Sequence, residues 1–84
     1  MSTIDYSRLR SLKARDLISA VIRDGFEFDR QRGSHHHYYH PDSRRVTISF
    51  HSPAETFPPK TLKRIIEEQA EWTEVDLRRL KLLK

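Results

Sequence analysis

The 84-residue chain contains no cysteine, which removes disulfide frameworks, thiolate nucleophiles and cysteine-ligated zinc and fits a reducing compartment. It has no apolar run approaching the roughly 20 residues of a membrane span. The opening Met1-Ser2-Thr3-Ile4-Asp5 lacks the basic and then apolar layout of a secretory signal. The expectation is therefore a cytoplasmic protein with no membrane segment. There is also no internal repeat and no low-complexity tract. A chain of this size suits one domain and buries only roughly 60 to 65% of the surface its unfolded form exposes. Stability should be modest, a large enclosed substrate cavity is not expected, and a bound partner would add to stability.

What the sequence does have is basic charge. Sixteen Lys and Arg stand against twelve Asp and Glu, for a net charge of +4 and a sequence pI near 9.8. That balance favours a polyanionic partner, although many soluble domains carry such charge only for solubility. The motifs have to decide.

Residues 1–11 are polar and aperiodic apart from Ile4, Tyr6 and Leu9, and read as a loosely ordered lead-in to a single domain over residues 12–84. From Lys13 to Asp24, Ala14, Leu17, Ile18, Val21 and Ile22 recur at helical spacing, and Gly25 stands where a helix ends. The period then changes to two: Phe26 and Phe28 alternate with Glu27 and Asp29, and the strand runs on into Arg30-Gln31-Arg32. Gly33-Ser34 makes a turn, His35 to His40 a second strand, and Pro41-Asp42-Ser43 a second turn. Val46, Ile48 and Phe50 alternate with Thr47 and Ser49 in a third strand. Pro58-Pro59 then precedes Leu62, Ile65, Ile66 and Gln69, one stripe of a second helix. Thr73-Glu74-Val75-Asp76 matches a capping box and opens a short terminal helix carrying Leu77, Leu80 and Leu83. The pattern predicts an α+β fold of two layers: helix, three-stranded antiparallel sheet, helix, and a short C-terminal helix. One sheet face lies under the helices and the other is open.

All five histidines fall between His35 and His51. On a strand, His35, His37 and Tyr39 share one face, while His36, Tyr38 and His40 share the other. With Tyr38 packed on the core, the open face displays His35 and His37 beside Arg45, Thr47, Ser49 and His51. Cleavage of RNA by its own 2′-hydroxyl needs a base for that proton, a cation near the phosphate and an acid for the leaving oxygen. Histidine suits both proton transfers, and no metal or other cofactor is required. Two histidines two apart on a strand could share an ion, but a third ligand is not evident. Taken singly, His36, His40 and His51 read as surface or packing residues.

Asp24-Gly25-Phe26, Arg30-Gln31-Arg32-Gly33-Ser34-His35-His36-His37-Tyr38 and His40-Pro41-Asp42 closely resemble the HicA toxins of bacterial and archaeal HicA/HicB toxin–antitoxin modules. So do Arg44-Arg45-Val46-Thr47-Ile48, His51-Ser52 and Pro59-Lys60-Thr61-Leu62-Lys63-Arg64-Ile65-Ile66. The likeness runs from about Lys13 to the end. It implies a double-stranded-RNA-binding-domain-like fold, cleavage of messenger RNA, and neutralisation by a HicB antitoxin that covers the active face. The family's essential histidine, directly after Gly-Ser, falls on His35, with Gly33 and Ser34 as the active-site turn. Arg32, Arg44 and Arg45 flank this site in sequence and are the phosphate-binding candidates; His37 and His51 are candidates for a second proton-transfer group. Lys60 and Ala14 stand where the family usually has Gly and a Ser or Thr, which implies weaker side-chain caps on two helices. The alternative function is a non-catalytic RNA-binding module of the same fold, separated from the first by the presence of a catalytic histidine.

Overall fold

Buried side chains set between open ones on two of three short strands organise the chain. A computed structural model describes residues 4–83. The elements are α1 (Ala14–Arg23), β1 (Glu27–Arg32), β2 (His35–Tyr39), β3 (Arg45–Ser49), α2 (Pro59–Lys63), which continues as a π-helical stretch over Arg64–Gln69, and α3 (Glu74–Arg79). The fold is α+β, in the order that periodicity predicts. The lead-in carries a short 3₁₀ helix at Tyr6–Leu9; Leu9 is buried, and the Tyr6 hydroxyl donates to the Glu67 carboxylate. Residues 1–3 of that lead-in, and Lys84, lie outside the described residues.

The α1 stripe Ala14, Leu17, Ala20 and Val21 is buried, whereas Ile22 stays exposed. Its first N–H groups do not rely on a hydroxyl cap: Ala14 and Arg15 donate to the carbonyls of Glu55 (2.8 Å) and Pro53 (3.0 Å). The Asp16 carboxylate accepts from the Lys13 N–H at 2.9 Å. At the other end Phe26 N–H reaches the Val21 carbonyl and Gly25 N–H the Ile22 carbonyl, the paired bonds of a Schellman stop. Gly25 sits there at φ +104°, and a Cβ on it would lie 2.8 Å from His40 Nε2. Gly25→Ala is therefore expected to lower stability by about 1–3 kcal/mol through backbone strain and displacement of His40; a melting curve with no shift would refute this.

The sheet has the order β1-β2-β3 with both pairs antiparallel. Tyr38, Val46 and Ile48 point into one core with the α1 stripe, Leu62, Ile65, Ile66 and Leu77. β1 differs from expectation. All of it is exposed, including Phe28, because it is an edge strand that the helices do not cover. Between Phe28 and Arg30 the register slips by one residue at Asp29. Strict alternation would put Arg30 and Arg32 on the side of Phe28; the bulge turns both to the other face. The β3 edge is covered, since Thr47 N–H donates to Gln69 Oε1 at 2.7 Å. In α3, Thr73 and Asp76 cap each other as the sequence predicts, and Leu77, Leu80 and Leu83 dock on the domain itself.

Candidate active site

The two-residue hairpin Gly33-Ser34 joins β1 to β2, because Arg32 pairs directly with His35. Only the first of the two residues has positive φ, +60° at Gly33, which suits a tight turn matched to strand twist. The turn delivers His35 at the start of β2, exposed, with Arg32 opposite it on β1 and Ser49 opposite it on β3. One step along, His37 faces Arg30 and Thr47, and then Tyr39 faces Glu27 and Arg45. Cross-strand partners share a face. The open face is thus a row of His35, His37 and Tyr39 between an arginine-bearing strand and a hydroxyl-bearing one.

The two imidazoles lie nearly parallel, with centroids 6.4 Å apart and planes 16° off. His37 Nδ1 is 2.9 Å from Thr47 Oγ1, which fixes that ring by one edge and leaves the other outward. Ser34 and Ser49 place their hydroxyls 3.3 Å apart beside His35. The His35 ring has no hydrogen-bond partner among the described residues, so it is free to engage a ligand.

The other histidines are held differently. His36 is on the core side, where it stacks on Phe50 at 4.0 Å and its Nδ1 donates to the Ser34 carbonyl at 2.9 Å. His40 Nε2 donates to the Asp24 carbonyl at 3.0 Å, and its Nδ1 accepts from the Asp42 N–H at 3.1 Å. The same Nδ1 lies 3.0 Å from the Asp42 carboxylate. His51 lies exposed in the bend after β3, with no ring contact to His35 or His37 among the described residues. Nor is there, among those residues, a group of three or more His, Cys, Asp or Glu placed to hold a metal ion. No helix among them is long and apolar enough to cross a membrane.

Arg44 and Arg45 are neighbours in sequence and opposites in space. Arg45 pairs with Tyr39 on the open face. Arg44 turns the other way: its guanidinium lies 2.5 Å from the Ala70 carbonyl, 2.8 Å from Asp42, 3.2 Å from Asp24 and over the Phe26 ring. Its parity with Val46 and Ile48 is the sequence signal for that inward direction. Asp24, with only 8% of its side chain exposed, also accepts from Trp72 Nε1 (2.9 Å) and Arg79 (2.8 Å). Burial alone would push its carboxyl up; the Trp72 and Arg79 hydrogen bonds and the charges of Arg44 and Arg79 outweigh it and hold the carboxyl below its ordinary range. The sequence marks Asp24 only as part of the Asp24-Gly25-Phe26 segment, and it gives no sign of this network or of the buried Trp72.

A protein-family model described as the HicA toxin of bacterial toxin–antitoxin systems matches residues 14–72, from the first residue of α1 to Trp72. None of the curated proteins matches the chain.

Proposed function

Since the chain belongs to the HicA family of toxins from bacterial toxin–antitoxin modules, we propose that it exerts its toxicity as an endoribonuclease acting on messenger RNA through His35. The observation that carries this is the pair of near-parallel rings of His35 and His37, 6.4 Å apart on an exposed face and opposite Arg32 and Arg30. That gap suits one phosphodiester. His35 takes the proton of a ribose 2′-hydroxyl, and the 2′-oxygen attacks the adjacent phosphorus. The bond to the 5′-oxygen breaks, and the leaving oxygen takes a proton from His37. The products are a 2′,3′-cyclic phosphate and a 5′-hydroxyl. The nucleophile is the substrate's own, so the protein has only to move protons and neutralise the phosphate.

His37 takes the second role in preference to His51 because Thr47 orients it and it stands beside His35. Of the three flanking arginines, Arg32 and Arg45 receive the phosphate role, and Arg44, already engaged by two carboxylates and a carbonyl, does not. The order helix, three strands, helix supports a double-stranded-RNA-binding-domain-like classification. A HicB-type antitoxin would neutralise the toxin by laying an acidic surface over the open face, and action on messenger RNA assigns the protein to the cytoplasm.

The test is an RNA oligonucleotide cut by the purified chain, made again with a single 2′-deoxy sugar at the cleaved position. Loss of cutting there, with cyclic phosphate on the product of the parent strand, is the expected result. Cutting through the deoxy position, or a chain that binds RNA and never shortens it, would overturn the proposal, the latter in favour of a binding module. Salt dependence tests the arginine assignment. Arg32→Ala and Arg45→Ala should each flatten the slope of log affinity against log salt by about 0.7 on single-stranded RNA. Arg44→Ala should leave that slope unchanged.

A further inference from the structure

Four large apolar side chains stand exposed among the described residues: Ile22, Phe28, Tyr39 and Val75. Ile22 and Val75 are on helices, and Phe28 shares the side of its partner Tyr38, leaving Tyr39 as the one on the open face. It is third in the row after His35 and His37. Its ring has no aromatic or cation–π partner and its hydroxyl no hydrogen bond among the described residues. The cation directly across from it, Arg45, is not stacked on it. A phenol a little over one third exposed on a basic sheet face, with no ring or hydroxyl partner among the described residues, offers that open part to a flat ligand.

We propose that Tyr39 is a stacking platform for an unpaired base of single-stranded RNA, next to the phosphodiester held at His35 and His37. The position of that phosphodiester rests on the ribonuclease reading above. Residues two apart on a strand are separated by about 7 Å, a step comparable to one nucleotide of an extended chain. The row His35, His37, Tyr39 therefore offers one site for a sugar–phosphate unit and the next for a base. Aromatic side chains on an exposed sheet face hold bases of any sequence, because every base has a π-face. A paired A-form helix keeps those faces stacked on one another, so the platform selects single strands. Arg45 on one side of Tyr39 and Glu27 on the other then set the path of the backbone, drawing its phosphates to β3 and repelling them from the start of β1.

A fluorescent single strand of 2′-O-methyl RNA keeps bases and phosphates but has no free 2′-hydroxyl, so it reports binding without cleavage. Tyr39→Ala should bind it about five- to hundredfold more weakly than wild type, and Tyr39→Phe within about twofold, since stacking needs the ring and not the hydroxyl. The melting temperature should be the same in all three proteins. The same strand annealed to its complement should bind wild type at least about tenfold more weakly. Undiminished binding by Tyr39→Ala, equal losses in Tyr39→Ala and Tyr39→Phe, or a duplex bound as tightly as the single strand would each overturn the platform. A His35 variant that still cut RNA would overturn the catalytic reading and leave this binding result standing.

Discussion

His35→Ala should cut RNA about 10²- to 10⁴-fold more slowly than wild type, the usual contribution of one positioned proton-transfer group. That corresponds to about 3–5 kcal/mol of activation free energy. The loss should appear in the rate of the bound complex more than in affinity, because the proposal gives the phosphates to arginines on the neighbouring strands, Arg32 and Arg45. Stability should be nearly untouched: His35 is exposed and its ring has no hydrogen-bond partner among the described residues, and such surface changes usually stay within about 0.5 kcal/mol. His36→Ala is the informative control. It removes the ring stacked on Phe50 and the hydrogen bond to the Ser34 carbonyl, so it should lower the melting temperature while the remaining folded protein still cuts. In cells, expression of wild type should arrest growth and His35→Ala should not. A folded His35→Ala protein that cuts at the wild-type rate, or arrests growth equally, ends the assignment.

The open face to which we assign this chemistry is legible in the sequence, and its full membership is not. Period-two alternation through Tyr38, Val46 and Ile48 identifies the core side, and this alone turns His35 and His37 outward. The same alternation carried through β1 would turn Arg30 and Arg32 inward with Phe28. The bulge at Asp29 reverses them, and a bulge arises from pairing with β2, which no pattern within β1 displays. Periodicity narrows the five histidines to His35 and His37, and the Gly-Ser-His resemblance singles out His35. Arg44 was legible in part: its parity matches Val46, but an arginine beside a cationic motif reads first as a phosphate ligand. Its partner Asp42 is two residues away, but Asp24 and the Ala70 carbonyl lie far off along the chain. The helix after Pro59 was expected from its apolar stripe, yet its change to π-helical bonding over Arg64–Gln69, with Gln69 reaching the Thr47 N–H, depends on the β3 edge beside it.

Asp24→Ala should be the most destabilising of the substitutions considered, by about 2–4 kcal/mol, and should lower the melting temperature by on the order of 10 °C or more. The residue holds four parts of the chain together. Its carboxylate takes hydrogen bonds from Trp72 and Arg79 and an ion pair from Arg44, and its carbonyl accepts from His40. Removing the carboxylate leaves the Trp72 N–H and the mostly buried Arg44 guanidinium without that counterpart, which costs more than the lost bonds themselves. The figure lies below that of a fully buried pair because Arg79 is half exposed and keeps Asp76. The sign of the pH dependence follows from the direction of the shift. A carboxyl held in the folded state below its ordinary value of 3.8 contributes stability that is complete above that value. The contribution drains away as pH falls from there toward the folded value. Asp42 and Asp76, held low by hydrogen bonds that outweigh their desolvation, act in the same direction. Wild type should therefore lose melting temperature steeply below about pH 4, and Asp24→Asn should follow a shallower curve from a lower start. Parallel curves would show that Asp24 is not a source of the acid sensitivity. Arg44→Ala supplies the complementary test, since it should lose stability while keeping the salt slope of RNA binding. The opposite pattern, full stability with a flattened slope, would return Arg44 to the nucleic-acid interface.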